Sequence, residues 1–125
     1  MPLPSRDERG VNESLQWALV VPVVLLVVLG LLQTAVWLHA RQAAREAAVA
    51  AAEAEAVLQP QPRAGERAAL EITRIAGLRE VDVAVQRGPD LITVTVTGRP
   101  PLIIDIGPIR VDERAVISPE RVTRP

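Results

Sequence analysis

Few residues in this 125-residue chain are equipped for chemistry. His39 is the single histidine and there is no cysteine. Neither a thiolate nucleophile nor a histidine–cysteine zinc set can be assembled from that inventory. Ser5, Ser14 and Ser118 have no evident base to activate them. Asp105, Asp112 and Glu113 fall in strands or turns, without the ligand spacing of a calcium loop. No nucleophile elbow or phosphate-cradling glycine loop occurs. The sequence reads as non-enzymatic: no catalytic residue, no metal site, no cofactor. The residues of interest lie within or beside an apolar segment: Glu13, Gln16, Trp17, Pro22, Gly30, Thr34 and Trp37.

The element that must position them is a run from Trp17 to Leu38 without a single charge. As a helix it spans about 33 Å, enough for a hydrocarbon core of about 30 Å. Trp17 and Trp37 are the only aromatic residues. Twenty positions apart, they fall about 30 Å from one another along a helix. That spacing suits one indole at each membrane interface, and His39 lies at the same edge. A cleavable signal is the rival reading, with Arg6 and Arg9 before the run and Leu38-His39-Ala40 as its cleavage site. The run exceeds a signal's apolar core of about 7–15 residues, and Asp7, Glu8 and Glu13 dilute the positive charge. A retained single-pass anchor is the expectation. Arg41 and Arg45 follow the span, so charge bias leaves orientation open; the N-terminus inside and the C-terminal domain outside is preferred on architecture. Pro22 removes the amide that would serve the Ala18 carbonyl, which predicts a kink. Gly30 and Thr34 form a small-xxx-small pair suited to close helix approach.

Downstream, "ARQAAREAAVAAAEAEAVL" (Ala40–Leu58) is dominated by alanine, the best helix former. It predicts continuation of the span into a juxtamembrane helix, its charges on a solvated face. "QPQPR" stops that helix. A second helix is predicted over Glu66–Ala76, with Leu70, Ile72, Ile75 and Ala76 as its apolar face and Gly77 as its cap. The period then changes to two. Val81, Val83 and Val85 share one face; Ile92, Val94 and Val96 share another, opposite Thr93, Thr95 and Thr97. This predicts a hairpin turning at "GPD". "LIIDI" and "RVDERAVIS" read as a shorter strand and a final strand parted by Gly107-Pro108, before a polar tail.

The expected architecture is α+β, a small α-β-β-β domain with an antiparallel sheet behind a long N-terminal transmembrane helix. Its divisions are a short cytoplasmic leader (1–16), the span (17–38), a juxtamembrane helix (39–58), a Pro-rich linker (59–65), an extracytoplasmic domain (66–118) and a tail (119–125). An aliphatic core of this size is marginal alone, so the domain should pack on the long helix or on partner subunits. A net charge of −1 provides no basic face for nucleic acid.

Arg9-Gly10, a few polar residues, "QWALVVPVVLLVVLGLLQ" and then "ARQAAREAAVAAA" resemble the TadE-like proteins, pseudopilin-related components of tight-adherence (Flp-type) pilus systems. The resemblance covers roughly Arg9–Ala56 and extends to the β-rich half only in architecture, as a pilin-like arrangement. It implies a membrane-anchored assembly component packing laterally with pilins, partner pseudopilins, Tad-type inner-membrane proteins or its own copies, with lipid around the span. It also implies a prepilin-type peptidase site at Gly10-Val11 and a glutamate that pairs with a neighbour's new α-amine. Counting back from Pro22, that glutamate falls on Gln16, which cannot neutralise an amine. Glu13, the nearest carboxylate, lies three residues after Gly10. An anchored, unprocessed minor component is the expectation; a membrane-anchored extracytoplasmic adaptor unrelated to pili is the alternative.

Overall fold

A computed structural model describes residues 6–57, 61–104, 107 and 109–119, with side chains from residue 9 onward. Ser5, Gln59, Asp105, Pro108 and the tail beyond 119 lie outside the described residues. Two helices precede three strands: α1 (Arg6–Ala56), α2 (Ala64–Ile75), β1 (Arg79–Arg87), β2 (Ile92–Arg99) and β3 (Val111–Ile117). The chain divides into two compact units, Met1–Thr34 and Ala35–Pro125.

The first unit is the N-terminal part of α1. The leader expected at 1–16 is helical from Arg6, and the helix continues through Pro22. Helix nucleation is costly while propagation is cheap, so a strong downstream helix carries weaker residues along. The apolar run has a mean hydropathy of 2.7 over its best 18 residues, none of them buried. It is long and apolar enough to cross a bilayer.

The second unit packs around the later part of α1. Ala40, Ala43, Ala44, Ala47, Ala48, Ala51, Ala52 and Ala56 are 0–7% exposed, recurring mainly every three or four residues on one broad face. They join Ile92, Val94, Val96, Leu78 and Val111 in one core. The domain thus packs on the long helix, as the small size of its own core requires.

α2 approaches α1 closely at Gly65, where an added Cβ would sit 3.0 Å from the Ala51 carbonyl oxygen. Its buried residues are Gly65, Ala69 and Thr73, with Ile72 and Ala76 packed against the core. Leu70 and Ile75, expected on the apolar face, are exposed. Small side chains let two helices come together, and Leu70 and Ile75 are too large for that seam. The Thr73 hydroxyl donates to the Ala69 carbonyl at 3.0 Å, which satisfies it without an outside partner. The helix ends as expected at Gly77. Its φ is 79°, the Gly77 amide donates to the Arg74 carbonyl, and the Leu78 amide donates to the Thr73 carbonyl. That pair of bonds is a Schellman motif.

The sheet is an antiparallel meander in the order β1-β2-β3. Val83 opposes Val96 and Val85 opposes Val94; Val96 opposes Glu113 and Val94 opposes Ala115. These residues share the inner face, and the β2 threonines face outward. Between Arg79 and Asp82 the register shifts, a bulge in which Glu80 takes a φ of 49°. Opposite it, Gly98 leaves room for Leu78, whose Cδ2 would lie 2.9 Å from any Cβ there. Residues 102–104 of "LIIDI" form no strand. Pro100 and Pro101 withhold amides at its start, and β3 already occupies the edge of β2 that it would need.

Candidate functional site

The residues of interest in the first unit lie on one continuous helix. Gly10, Val11, Glu13, Gln16, Trp17 and Pro22 are all exposed. An added Cβ at Gly10 or Gly30 would meet nothing within 4 Å, so neither glycine is needed for packing inside the chain. The Thr34 hydroxyl donates to the Gly30 carbonyl at 2.8 Å. This satisfies the hydroxyl in an apolar setting and ties the small-xxx-small pair together.

Helical spacing gives this segment a defined seam. Gln16, Val20, Val23, Val27, Gly30 and Thr34 recur at alternating four- and three-residue steps, so they share one stripe. The stripe carries no leucine; Leu25 and Leu32 lie on other faces. It offers a shallow surface of β-branched and small side chains with an amide at its N-terminal end. Glu13, three residues before Gln16, continues the same stepping at the N-terminal end, whereas Pro22 lies off its line. The seam follows from the helical period between residues that the sequence singles out only one or two at a time.

Trp17 and Trp37 have different surroundings. Trp17 is exposed, whereas Trp37 packs against the core of the second unit. The Arg41 guanidinium lies 5.6 Å from the Trp37 ring centroid, within cation–π range. Arg41 Nε also donates to Glu113 Oε1 at 2.6 Å.

A carboxylate that the sequence assigns to a solvated face forms the second polar junction. Glu55 is only 9% exposed. Its Oε1 accepts the Gly65 amide at 3.0 Å and its Oε2 accepts from Arg87 Nη2. The Gly65 amide belongs to the first turn of α2, where backbone donors lack intrahelical partners and negative charge is favoured. One side chain therefore joins the end of α1, the start of α2 and the last residue of β1. Its partner Arg87 is 32 positions away, and no local pattern announces the pair.

Among the described residues, no group of three or more histidines or carboxylates could hold a metal. The geometry provides surfaces for packing: an exposed apolar helix with a narrow seam, continuing into a helix whose alanines hold a folded domain. No curated protein matches the chain, and no solved structure does. The family described as TadE-like protein matches residues 14–53. That segment begins just before Gln16, includes the whole apolar run and ends within the alanine face. Over residues 14–53, this chain is similar to the TadE-like family.

Proposed function

We propose that the protein is a single-pass, membrane-anchored structural component of Tad-type pilus assembly or a related secretion system, akin to the minor pseudopilins. The observation that supports this is the position of the family match: it falls on a helix whose apolar run has no residue buried within the chain. Such a surface requires lipid or other apolar helices around it. The N-terminus lies inside and the domain outside. Trp17 and Trp37 mark the two interfaces. The partners are membrane lipid, pilin-like and Tad-type inner-membrane proteins, and other copies of this chain. No enzymatic role is assigned.

The seam from Gln16 to Thr34 is the surface for lateral packing, since close approach favours small and β-branched side chains over leucine. Gln16 contributes a hydrogen bond across helices rather than a charge pair with an amine. The chain accordingly remains uncut at Gly10-Val11. Mass measurement of the membrane-extracted protein tests this: an intact leader is expected, and a chain starting at Val11 refutes the unprocessed form. A photo-crosslinker replacing Val23 tests the packing role. Adducts to a Tad component or a second copy are expected; adducts to lipid alone would rule out the seam.

A further inference from the structure

The two ion pairs orient the second unit. Arg41 meets Glu113 near the start of β3, and Glu55 meets Arg87 at the end of β1. The helix therefore enters this unit at the end of the sheet formed by Arg79, Arg99 and Val111. The connection between β2 and β3 lies at that end because it leaves Arg99 and returns at Val111. The C-terminus of α2 is there too: the Gly77 Cβ position is 3.5 Å from Pro101 Cγ.

This end carries bulky aliphatic side chains that the core does not use. Ile75 is 78% exposed, Ile103 58%, Ile104 41% and Ile109 38%. Leaving that many isoleucines in water together at one end forgoes their burial. Cations accompany them. Arg79 and Arg99 are register partners. Arg110 Nη2 donates to the Glu80 carbonyl at 3.1 Å, and Arg99 Nη1 lies 3.6 Å from Glu80 Oε1. Glu80 thus meets Arg99 through its carboxylate and Arg110 through its backbone carbonyl, beside Arg79 on the neighbouring register position, with Asp82 and Asp112 further along the strands. Trp37 enters at the same end, and the residues that precede it in the chain are the apolar run.

We propose that this end of the domain is a bilayer-docking surface, in which Ile75, Ile103, Ile104 and Ile109 enter the lipid interface while Arg79, Arg99 and Arg110 meet headgroup phosphates. Apolar side chains bury in the headgroup–acyl boundary, and flanking arginines keep their charge in the polar layer. The lipid surface is favoured over a protein because the chain reaches this end directly from a segment suited to lipid. The inference rests on the membrane-anchor reading above.

The chain has no cysteine, so single-cysteine variants of the full protein carry one fluorophore each. Ile103→Cys, Ile109→Cys, Leu25→Cys and Leu91→Cys are labelled and reconstituted into mixed phosphatidylcholine–phosphatidylglycerol vesicles. Leu91 is 49% exposed and follows Arg87 at the opposite end. With a nitroxide quencher on the lipid, labels at Ile103 and Ile109 should shift to the blue and lose about half their intensity. The Leu91 label should keep its intensity. A quenched Leu25 label with labels at Ile103 and Ile109 that are open to aqueous iodide overturns the docking surface and leaves the anchor standing. Labels at Ile103 and Ile109 shielded from both quenchers indicate a protein occupant, which also overturns it. A Leu25 label that escapes the lipid quencher removes the anchor, and the docking surface with it.

Discussion

Gly65→Ala should destabilise the domain, although a helical glycine-to-alanine change ordinarily stabilises. Alanine is favoured over glycine in a helix interior by about 1 kcal/mol, and by less in the first turn, where Gly65 lies. Against this, the new Cβ would lie 2.7 Å from Glu55 Cγ, 2.9 Å from Glu55 Oε1 and 3.0 Å from the Ala51 carbonyl oxygen. Carbon contacts are comfortable at about 3.5–4.0 Å, so Glu55 or α2 must move. Displacing the carboxylate breaks its bond to the Gly65 amide, a loss of about 1.5–3 kcal/mol for a charged acceptor. The Arg87 pair adds at most about 1 kcal/mol, because that guanidinium is half exposed. The net expectation is a loss of about 1–3 kcal/mol. Denaturant unfolding of the full chain in detergent measures it, followed by Trp37 fluorescence in a Trp17→Phe background, since Trp37 packs on the core. Glu55→Ala should cost a similar amount. Adding Gly65→Ala to it should then cost little, because two of the three close contacts are gone and only Ala51 remains. A Gly65→Ala protein as stable as the parent, or costs that add in full, would refute the close approach.

Ala48→Leu puts three extra carbons at a fully buried position and should cost about 1–3 kcal/mol by overpacking in the same assay. Gly77→Ala must hold a φ of 79° and should cost about 1 kcal/mol, with α2 frayed in amide exchange. Arg41→Ala removes a half-exposed pair with Glu113, and its stability change should stay under about 1 kcal/mol. Gln16→Glu places a carboxylate on the packing seam; crosslinked adducts from Val23 should fall because an unpaired charge resists burial.

The parts of the fold legible in sequence are those with a strong local period. The hairpin follows from Val83, Val85, Val94 and Val96, and the alanine helix from its composition. The family resemblance follows from the order of features between Arg9 and Ala56. Other parts depend on fit. Hydrophobicity favours Leu70 and Ile75 for the buried face of α2, whereas the space beside α1 admits only residues of the size of Gly65, Ala69 and Thr73. "LIIDI" is apolar without alternation, so its composition cannot distinguish a strand from a connection; the occupied edge of β2 decides. Glu55 and Arg87 become a pair only once the strand register brings residue 87 to the helix. The seam from Gln16 to Thr34 is implicit in the helical period, but its members are ordinary valines until they are placed side by side.

A ridge of nearly identical alanines has little preference for where a sheet sits on it. Sliding by one helical turn, or docking end for end, would still bring methyl groups against Ile92, Val94 and Val96. The two ion pairs remove that degeneracy. They lie 14 residues apart on α1 and carry opposite polarity, with the cation at position 41 and the anion at position 55. An end-for-end arrangement sets Arg41 against Arg87 and Glu55 against Glu113, so both junctions become repulsive. A one-turn slide parts both pairs at once and leaves Glu55 desolvated without its partner. The charges thus select a single way for the β-sheet to dock on α1, a specificity that the alanine surface does not provide.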